Sequence, residues 1–398
     1  MRMAFLSIHS SPLGKAGGKD TGGMSTYLRG LSEALGAAGH KVDLFTRAAG
    51  TGDEGIRQLS DNVRLVAVDD DNGPLDKGEI YPHCPEIAAA VDQFCRREGA
   101  RYDVIFSHYW LSGCVGRLLE AKWQVPHLIM FHTLGRAKND ACCGENEPLL
   151  RIVEEENLAR SCSLVVVSAQ LEKDKVFACF NLPPEKAALI PCGIDRNLFR
   201  PSVRQKSKEQ LGLADRSVIL AVGRIEPVKG FDLVIEAAGL LPRENDFRVI
   251  IAGGDDQGCS QVAALEESAA ALGLAGKVKF AGLVEHSCLP LYYSAADVTV
   301  MPSHYESFGL TALESIACGT PLVGAPVGVL PELINRGSGG RYGFLVYDRN
   351  PASWAAKIRE VLLHSATISK PDIDKLLAPY SWTDAAAKLA GLVAKLKP

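Results

Sequence analysis

Short apolar runs alternate with helix-patterned segments along this chain, and the series breaks once and starts again. In the first half the runs are "MAFLSIH", "KVDLFTR", "NVRLVAV", "YDVIFSH", "PHLIMFH", "LVVVSA" and "AALIPCG". Between the first two, "STYLRGLSEALGAAGH" sets Leu28, Leu31 and Leu35 on one helical face, with Gly39 at the expected C-cap. A proline-bounded stretch, "IPCGIDRNLFRPSVRQ", interrupts the rhythm near 190–205. It resumes with "SVILAVG", "FRVIIAGG", "KVKFAGL", "DVTVMPS" and "TPLVGAP", with helical segments such as "FDLVIEAAGLL" between them. Strands alternating with helices demand parallel sheets covered on both faces. The sequence therefore predicts an α/β protein of two Rossmann-like domains facing a central cleft, spanning 1–196 and 197–380. A last helix, 381–398, is expected to pack back on the first domain. At 398 residues the chain is longer than a single core usually grows, which fits two.

Bulk properties exclude several classes. A net charge of −4 offers no basic surface for nucleic acid, so any phosphate must be held by local charge. The longest apolar runs are strand-length, far short of the ~20 residues that span a bilayer. "MRMAFLSIHSS" lacks the long apolar stretch and cleavage site of a secretory signal, so a cytoplasmic location is expected. The 11 cysteines are scattered without a C-x-x-C pair. Cys142-Cys143 reads as loop or packing thiols before it reads as a thiol switch or a metal clip.

In open α/β sheets ligands bind at the carboxyl ends of strands, so the post-strand loops are where chemistry should lie. The first, "GGKDTGGMSTY", lacks dinucleotide spacing, but Gly22 and Gly23 at a helix start allow an anion to approach backbone amides. The second, "VGRIEPVKGFD", puts Arg224 and Lys229 around Pro227, a guanidinium and an ammonium suited to one pyrophosphate. The third is "HYESFGLTALES". Its helix should begin near Gly309, so amides from Ser307 and Phe308 to Leu310 and Thr311 can face an anion, while Glu306 and Glu314 accept hydroxyl hydrogen bonds. The fourth, "HLIMFHTLGRAKND", brings His132 and Thr133 to a strand end facing the cleft.

These residues resemble the retaining, nucleotide-sugar-dependent glycosyltransferases of family 4, which have the GT-B fold. The likeness runs over the whole chain and rests on "GGM", "GRIEPVKG" and the Glu-x7-Glu motif "ESFGLTALE". It implies that Gly22, Gly23 and neighbouring amides contact the donor phosphates, and that Arg224 and Lys229 hold the pyrophosphate. It further implies Glu306 on the donor sugar, Glu314 on the ribose and His132 beside the anomeric carbon. "RYDVIFSHYWLSGCVGRLL" and "HTLGRAKND" are similar to the branch that glycosylates an inositol phosphate in mycothiol synthesis, and sucrose-phosphate synthases share much of the pattern. That branch implies an acceptor-phosphate site at Lys77, Tyr109, Thr133 and Arg151. Ser25 stands where it has an asparagine facing the inositol ring, which leaves the acceptor ring open.

The resemblance implies no cofactor and no metal. "VDDDNGP", Asp69 to Asp71, is the one acidic cluster after a strand that could hold a divalent cation, and Asp-Asn-Gly is equally a common turn. Rival classes sharing the architecture are a nucleotide-sugar epimerase and a non-catalytic sugar-nucleotide module. Donor identity, acceptor identity and oligomeric state, a homodimer included, stay open at this stage.

Overall fold

Two sheets carry the molecule. In the computed structural model, which describes residues 1–13, 22–48, 55–141, 146–214, 216–242, 246–254, 260–337, 340–364 and 367–396, they are separate in sequence and opposed in space. Cys142 and Cys143 lie outside the described residues.

The first sheet comprises β1 (Arg2–Leu6), β2 (Lys41–Arg47), β3 (Gly55–Ser60), β4 (Val63–Val68), β5 (Val104–His108), β6 (His127–Met130), β7 (Leu164–Val167) and β8 (Ala187–Leu189), ordered β3-β4-β2-β1-β5-β6-β7-β8. The second comprises β9 (Ser217–Val222), β10 (Phe247–Ala252), β11 (Val278–Gly282), β12 (Val298–Met301), β13 (Leu322–Gly324) and β14 (Gly343–Leu345), ordered β11-β10-β9-β12-β13-β14. Among the described residues all strand pairings are parallel except β3 with β4. The parallel sheets thus carry one antiparallel edge. Only Asp61 and Asn62 join the two strands, far too short a link for a crossover, so the chain can only turn back as a hairpin.

The period-2 alternation of β1 explains its two-sided burial. Phe5 sits level with Leu44 of β2 and Phe106 of β5 and packs with Leu28, Leu31 and Leu35 from the helix Gly23–Ala37. Ala4 and Leu6 face the other way, with Leu111 and Val115 of the helix Trp110–Trp123. Leu31 is fully buried, so Leu31→Ala should cost about 2–5 kcal/mol.

Strand order fixes where a ligand can enter. β1 lies between β2 and β5, and β9 between β10 and β12, so successive connections diverge to opposite sides at these strands. A crevice opens at such a switch point, at the carboxyl ends. The loops after β1, β5, β9 and β12 therefore meet in one place.

The chain crosses between sheets after Leu189 and returns near Tyr380. The two crossings are tied together, Ile194 N–H donating to Tyr380 O at 3.1 Å. Gly193 lies so close to Trp382 that no side chain fits, and Gly30 abuts the same indole. Trp382 opens the helix Trp382–Leu396, which packs on the helix Gly23–Ala37, its ring edge-on to Tyr27 at 5.6 Å.

Candidate active site

A cavity of about 710 Å³ lies between the sheets and takes its lining from both. Two helix N-termini meet in it. The helix Gly23–Ala37 is capped by Gly22 and the helix Leu310–Ala317 by Gly309, so no side chain occupies either set of first-turn amides. Gly309 has φ 94, a left-handed turn that only glycine adopts without strain. The two ends are close: a methyl carbon on Gly23 would lie 3.5 Å from Leu310 Cδ1, and one on Gly22 3.9 Å from Arg224 Nε. Ser307, Phe308 and Thr311 complete this part of the lining.

The second-domain wall carries paired charges. After β9 the chain makes a short turn at Pro227–Lys229, and Gly230, at φ 67, begins the next helix. Gly230 presses on the carbonyl of Pro302, and His304 N–H donates to Val228 O at 2.8 Å. These contacts dock the cation loop on the loop after β12. Lys229 Nζ consequently reaches Glu306 Oε1 at 2.5 Å, with Ser303 Oγ donating to the same oxygen at 2.9 Å. Arg224 Nη1 pairs with Glu226 Oε1 at 2.6 Å. Glu314, 5% exposed, receives His286 Nε2 at 3.0 Å on one oxygen and the Tyr293 hydroxyl at 2.7 Å on the other.

The first-domain wall is built of rings and strained backbone. Tyr109 and His132 follow β5 and β6 with φ 77 and 60, left-handed values that non-glycine residues adopt only under tertiary constraint. The Tyr109 ring stands 4.4 Å from Lys77 Nζ, 4.7 Å from Arg151 Cζ and 4.4 Å from the His9 ring. Arg151, 2% exposed, is already committed. Its Nε donates to Glu155 Oε1 at 2.6 Å, Nη1 reaches Glu147 Oε2 at 2.8 Å, and Nη2 donates to Thr133 O and Oγ1 at 2.7 and 2.9 Å. Burial opposes its charge, but Glu155, Tyr109 and Glu147 outweigh that and push its pKa up. Burial also keeps the imidazoles neutral. His132 is brought down to about 3, and His9 and His108 are held well below the usual histidine range.

The fold thus gathers Gly22, Gly23, Lys77, Tyr109, His132, Thr133 and Arg151 from one side with Arg224, Lys229, Glu306, Phe308, Leu310 and Glu314 from the other. Ser25 is the exception, standing outside this lining. Helical steps of about 100° per residue turn Gly23, Met24, Thr26 and Tyr27 toward the cavity and Ser25 away from it. Ser25 is buried, and its Oγ has no partner among the described residues. Asp69 to Asp71 form a turn outside the cavity, Asp70 pairing with Arg47 at 2.7 Å and Asp69 accepting from Asp71 N at 3.0 Å. Sequence reasoning passed over His9, which sits just past β1 where a ligand loop belongs. It also passed over Tyr305, whose hydroxyl accepts from Leu134 N–H at 3.1 Å across the cleft, and His286, which no motif marks. Among the described residues no helix is long and apolar enough to cross a membrane.

Known proteins resemble this chain in sequence and in fold. The family model for "Glycosyl transferases group 1" matches residues 203–372, and the "Glycosyl transferase 4-like domain" matches 22–193. The chain is 36% identical, over 422 aligned residues covering 100% of it and 92% of the relative, to a D-inositol 3-phosphate glycosyltransferase of Geodermatophilus obscurus. It is similar in structure to the sucrose-phosphate synthase of Thermosynechococcus elongatus, with a TM-score of 0.89, 29% identity and coverage of 99% and 98% of the two chains. The Anabaena protein HepE, solved with UDP and glucose, shares the fold, with a TM-score of 0.77, 22% identity and full coverage of both chains. The chain belongs to the group 1 glycosyltransferases with the GT-B fold, among the relatives of D-inositol 3-phosphate glycosyltransferase and sucrose-phosphate synthase.

Proposed function

We propose that this enzyme moves a glucosyl or N-acetylglucosaminyl group, with retention, from a nucleoside-diphosphate sugar, most naturally UDP-linked, to a hydroxyl of a small phosphorylated sugar or polyol. One observation carries the reading. Two glycine-capped helix ends, Arg224 and Lys229 converge on a single cavity that also holds carboxylates and neutral rings.

The difficult event is expelling a diphosphate from an anomeric carbon. Negative charge grows on the leaving oxygens while the sugar takes oxocarbenium character. Fixed donors aimed at that charge, in a cleft shielded from water, are usually the largest catalytic contribution. In this reading the donor diphosphate displaces Glu226 and Glu306 as the partner of Arg224 and Lys229. Glu306, released from Lys229, accepts hydroxyls of the donor sugar, and Glu314 accepts a ribose hydroxyl beside Tyr293. The acceptor's phosphate lies against Lys77 and Tyr109, with Thr133 held in place by Arg151. Its hydroxyl attacks from the leaving-group face and passes its proton to the departing phosphate oxygen. The names of the relatives support an inositol phosphate or hexose phosphate as acceptor.

Nucleoside diphosphate release over a grid of UDP-, ADP- and GDP-sugars against inositol phosphate, fructose 6-phosphate and their unphosphorylated counterparts tests the reading. Acceptor-dependent release with a preference for phosphorylated acceptors is expected, and proton NMR of the product should show the donor's anomeric configuration kept. Release that ignores the acceptor phosphate would remove Lys77 and Arg151 from their roles. Donor interconversion without any acceptor would replace transfer by epimerisation.

A further inference from the structure

The first-domain wall holds a histidine pair that the proposed reaction leaves without a task. His108 Nδ1 and His132 Nε2 are 2.9 Å apart, and His108 is wholly buried. The other nitrogen of His108, Nε2, has no hydrogen-bond partner among the described residues. Its ring is set among aromatic neighbours instead: Phe106 at 4.2 Å, Phe5 at 5.4 Å and Tyr27 at 5.7 Å between centroids.

We propose that His108 is a positioning residue that fixes the tautomer of His132, so that His132 offers Nδ1–H to the bound substrates as a hydrogen-bond donor.

Only two neutral arrangements satisfy the short contact. In one, His132 donates from Nε2 and His108 accepts on Nδ1. His108 must then carry its proton on Nε2, a buried N–H without an acceptor. In the other, His108 donates from Nδ1 and its Nε2 keeps a bare lone pair. A buried donor left unmade is the rarer and costlier fault, so the second arrangement prevails. Burial depresses the pKa of both rings, which removes the doubly protonated alternative at neutral pH. With the Nε2 lone pair of His132 occupied by His108, a neutral imidazole has only Nδ1 left for its proton. His132 lines the cavity, and the left-handed backbone at this residue sets its ring between His108 and Tyr27, 5.4 Å away.

The consequence concerns the reaction. His132 can donate to an oxygen of the transferred sugar but cannot take the acceptor's proton at Nδ1, which leaves that proton to the departing phosphate. This assignment rests on the proposed transfer for its substrate, and on the pair alone for its chemistry.

The test begins on the free enzyme. In the full chain labelled with 15N-histidine, imidazole shifts at pH 7 should show His132 protonated on Nδ1 and bare on Nε2, with signals assigned by their loss in His132→Gln and His108→Asn. His132 protonated on Nε2 overturns the proposal, whether or not any sugar is transferred. Turnover then separates positioning from packing. His108→Asn, whose amide can donate from nearly the same place, should retain the His132 signature and hold kcat within about fivefold of wild type. His108→Leu should lose the signature and lower kcat at least about tenfold, with KM for the nucleotide sugar within about twofold. Equal losses in the two variants overturn the proposal. Should His108→Leu fail to fold, the wild-type spectrum still decides. Absence of all transfer activity would instead discard the proposed function and leave the tautomer reading standing on its spectrum.

Discussion

The two walls of the cleft solve the same problem, holding polar groups ready in a closed space, by different physics. The second-domain wall is ionic. Its cations wait on carboxylates, Lys229 on Glu306 and Arg224 on Glu226, so each charge is partnered before a ligand arrives. The first-domain wall is stiffer, its imidazoles uncharged and its cation Lys77 set over the Tyr109 ring. Three uncharged imidazoles, an arginine saturated by two glutamates, and two left-handed residues at strand ends leave little freedom to rearrange. The difference suits the donor and acceptor proposed above. A diphosphate is a mobile, highly charged group that can displace a carboxylate, whereas an attacking hydroxyl needs a fixed line of approach.

The sharpest way to break this comparison is to remove a cation. Lys229→Ala should lower kcat/KM for transfer by about 10²–10³-fold, or about 3–4 kcal/mol, because a charge aimed at the leaving group is lost. Steady-state kinetics would read it, and a loss below fivefold would show that the diphosphate lies elsewhere.

The first-domain wall makes a pH prediction of similar size. Glu172, beneath the cavity-lining Ser168, has its pKa raised by burial to about 7 although Ser168 donates to it twice. Its folded value exceeds the ordinary one near 4.5, so the folded state keeps a proton that the unfolded chain has shed. That contribution is complete below about pH 4.5 and is lost as pH rises through 7, amounting to about 3 kcal/mol. Urea midpoints against pH should converge with those of Glu172→Gln at low pH and separate as pH rises, wild type becoming the weaker. Parallel curves would show that Glu172 titrates normally.

Smaller effects distinguish the walls more finely. Tyr109→Leu removes the ring between Lys77 and Arg151 and should raise KM for a phosphorylated acceptor about tenfold while sparing nucleotide affinity. A matching change in both would mean that the walls do not divide the substrates. Glu314→Gln keeps the shape but loses the charge that His286 and Tyr293 meet. It should weaken UDP binding about threefold to tenfold by calorimetry, and an unchanged Kd would take the ribose away from Glu314.

Much of this was legible from the residues. The doubled rhythm of apolar runs located the two sheets because strands buried on both faces cannot hide their hydrophobicity. Arg224, Lys229, Glu306 and Gly309 announced themselves because their loops follow strands and combine glycine with charge. Where Ser25 lies was not legible, because sequence adjacency to Gly23 says nothing of helical phase, and the helix buries it outside the lining. β3 escaped because "GIRQLS" is an exposed edge strand without an apolar face, burial giving it no signature. His9, His108 and His286 were invisible for a further reason: each draws its character from residues far off in the chain.

The sequence alone determined the alternation of strands and helices, the break between halves, and the chemistry available in each post-strand loop. These follow from local patterning and side-chain type. The tertiary structure decided which loops meet, that Lys229 waits on Glu306 and Arg151 on Glu147 and Glu155, and that three histidines lose their charge. Those properties depend on distance and on exclusion of water, and neither exists until both sheets have closed on the same cavity.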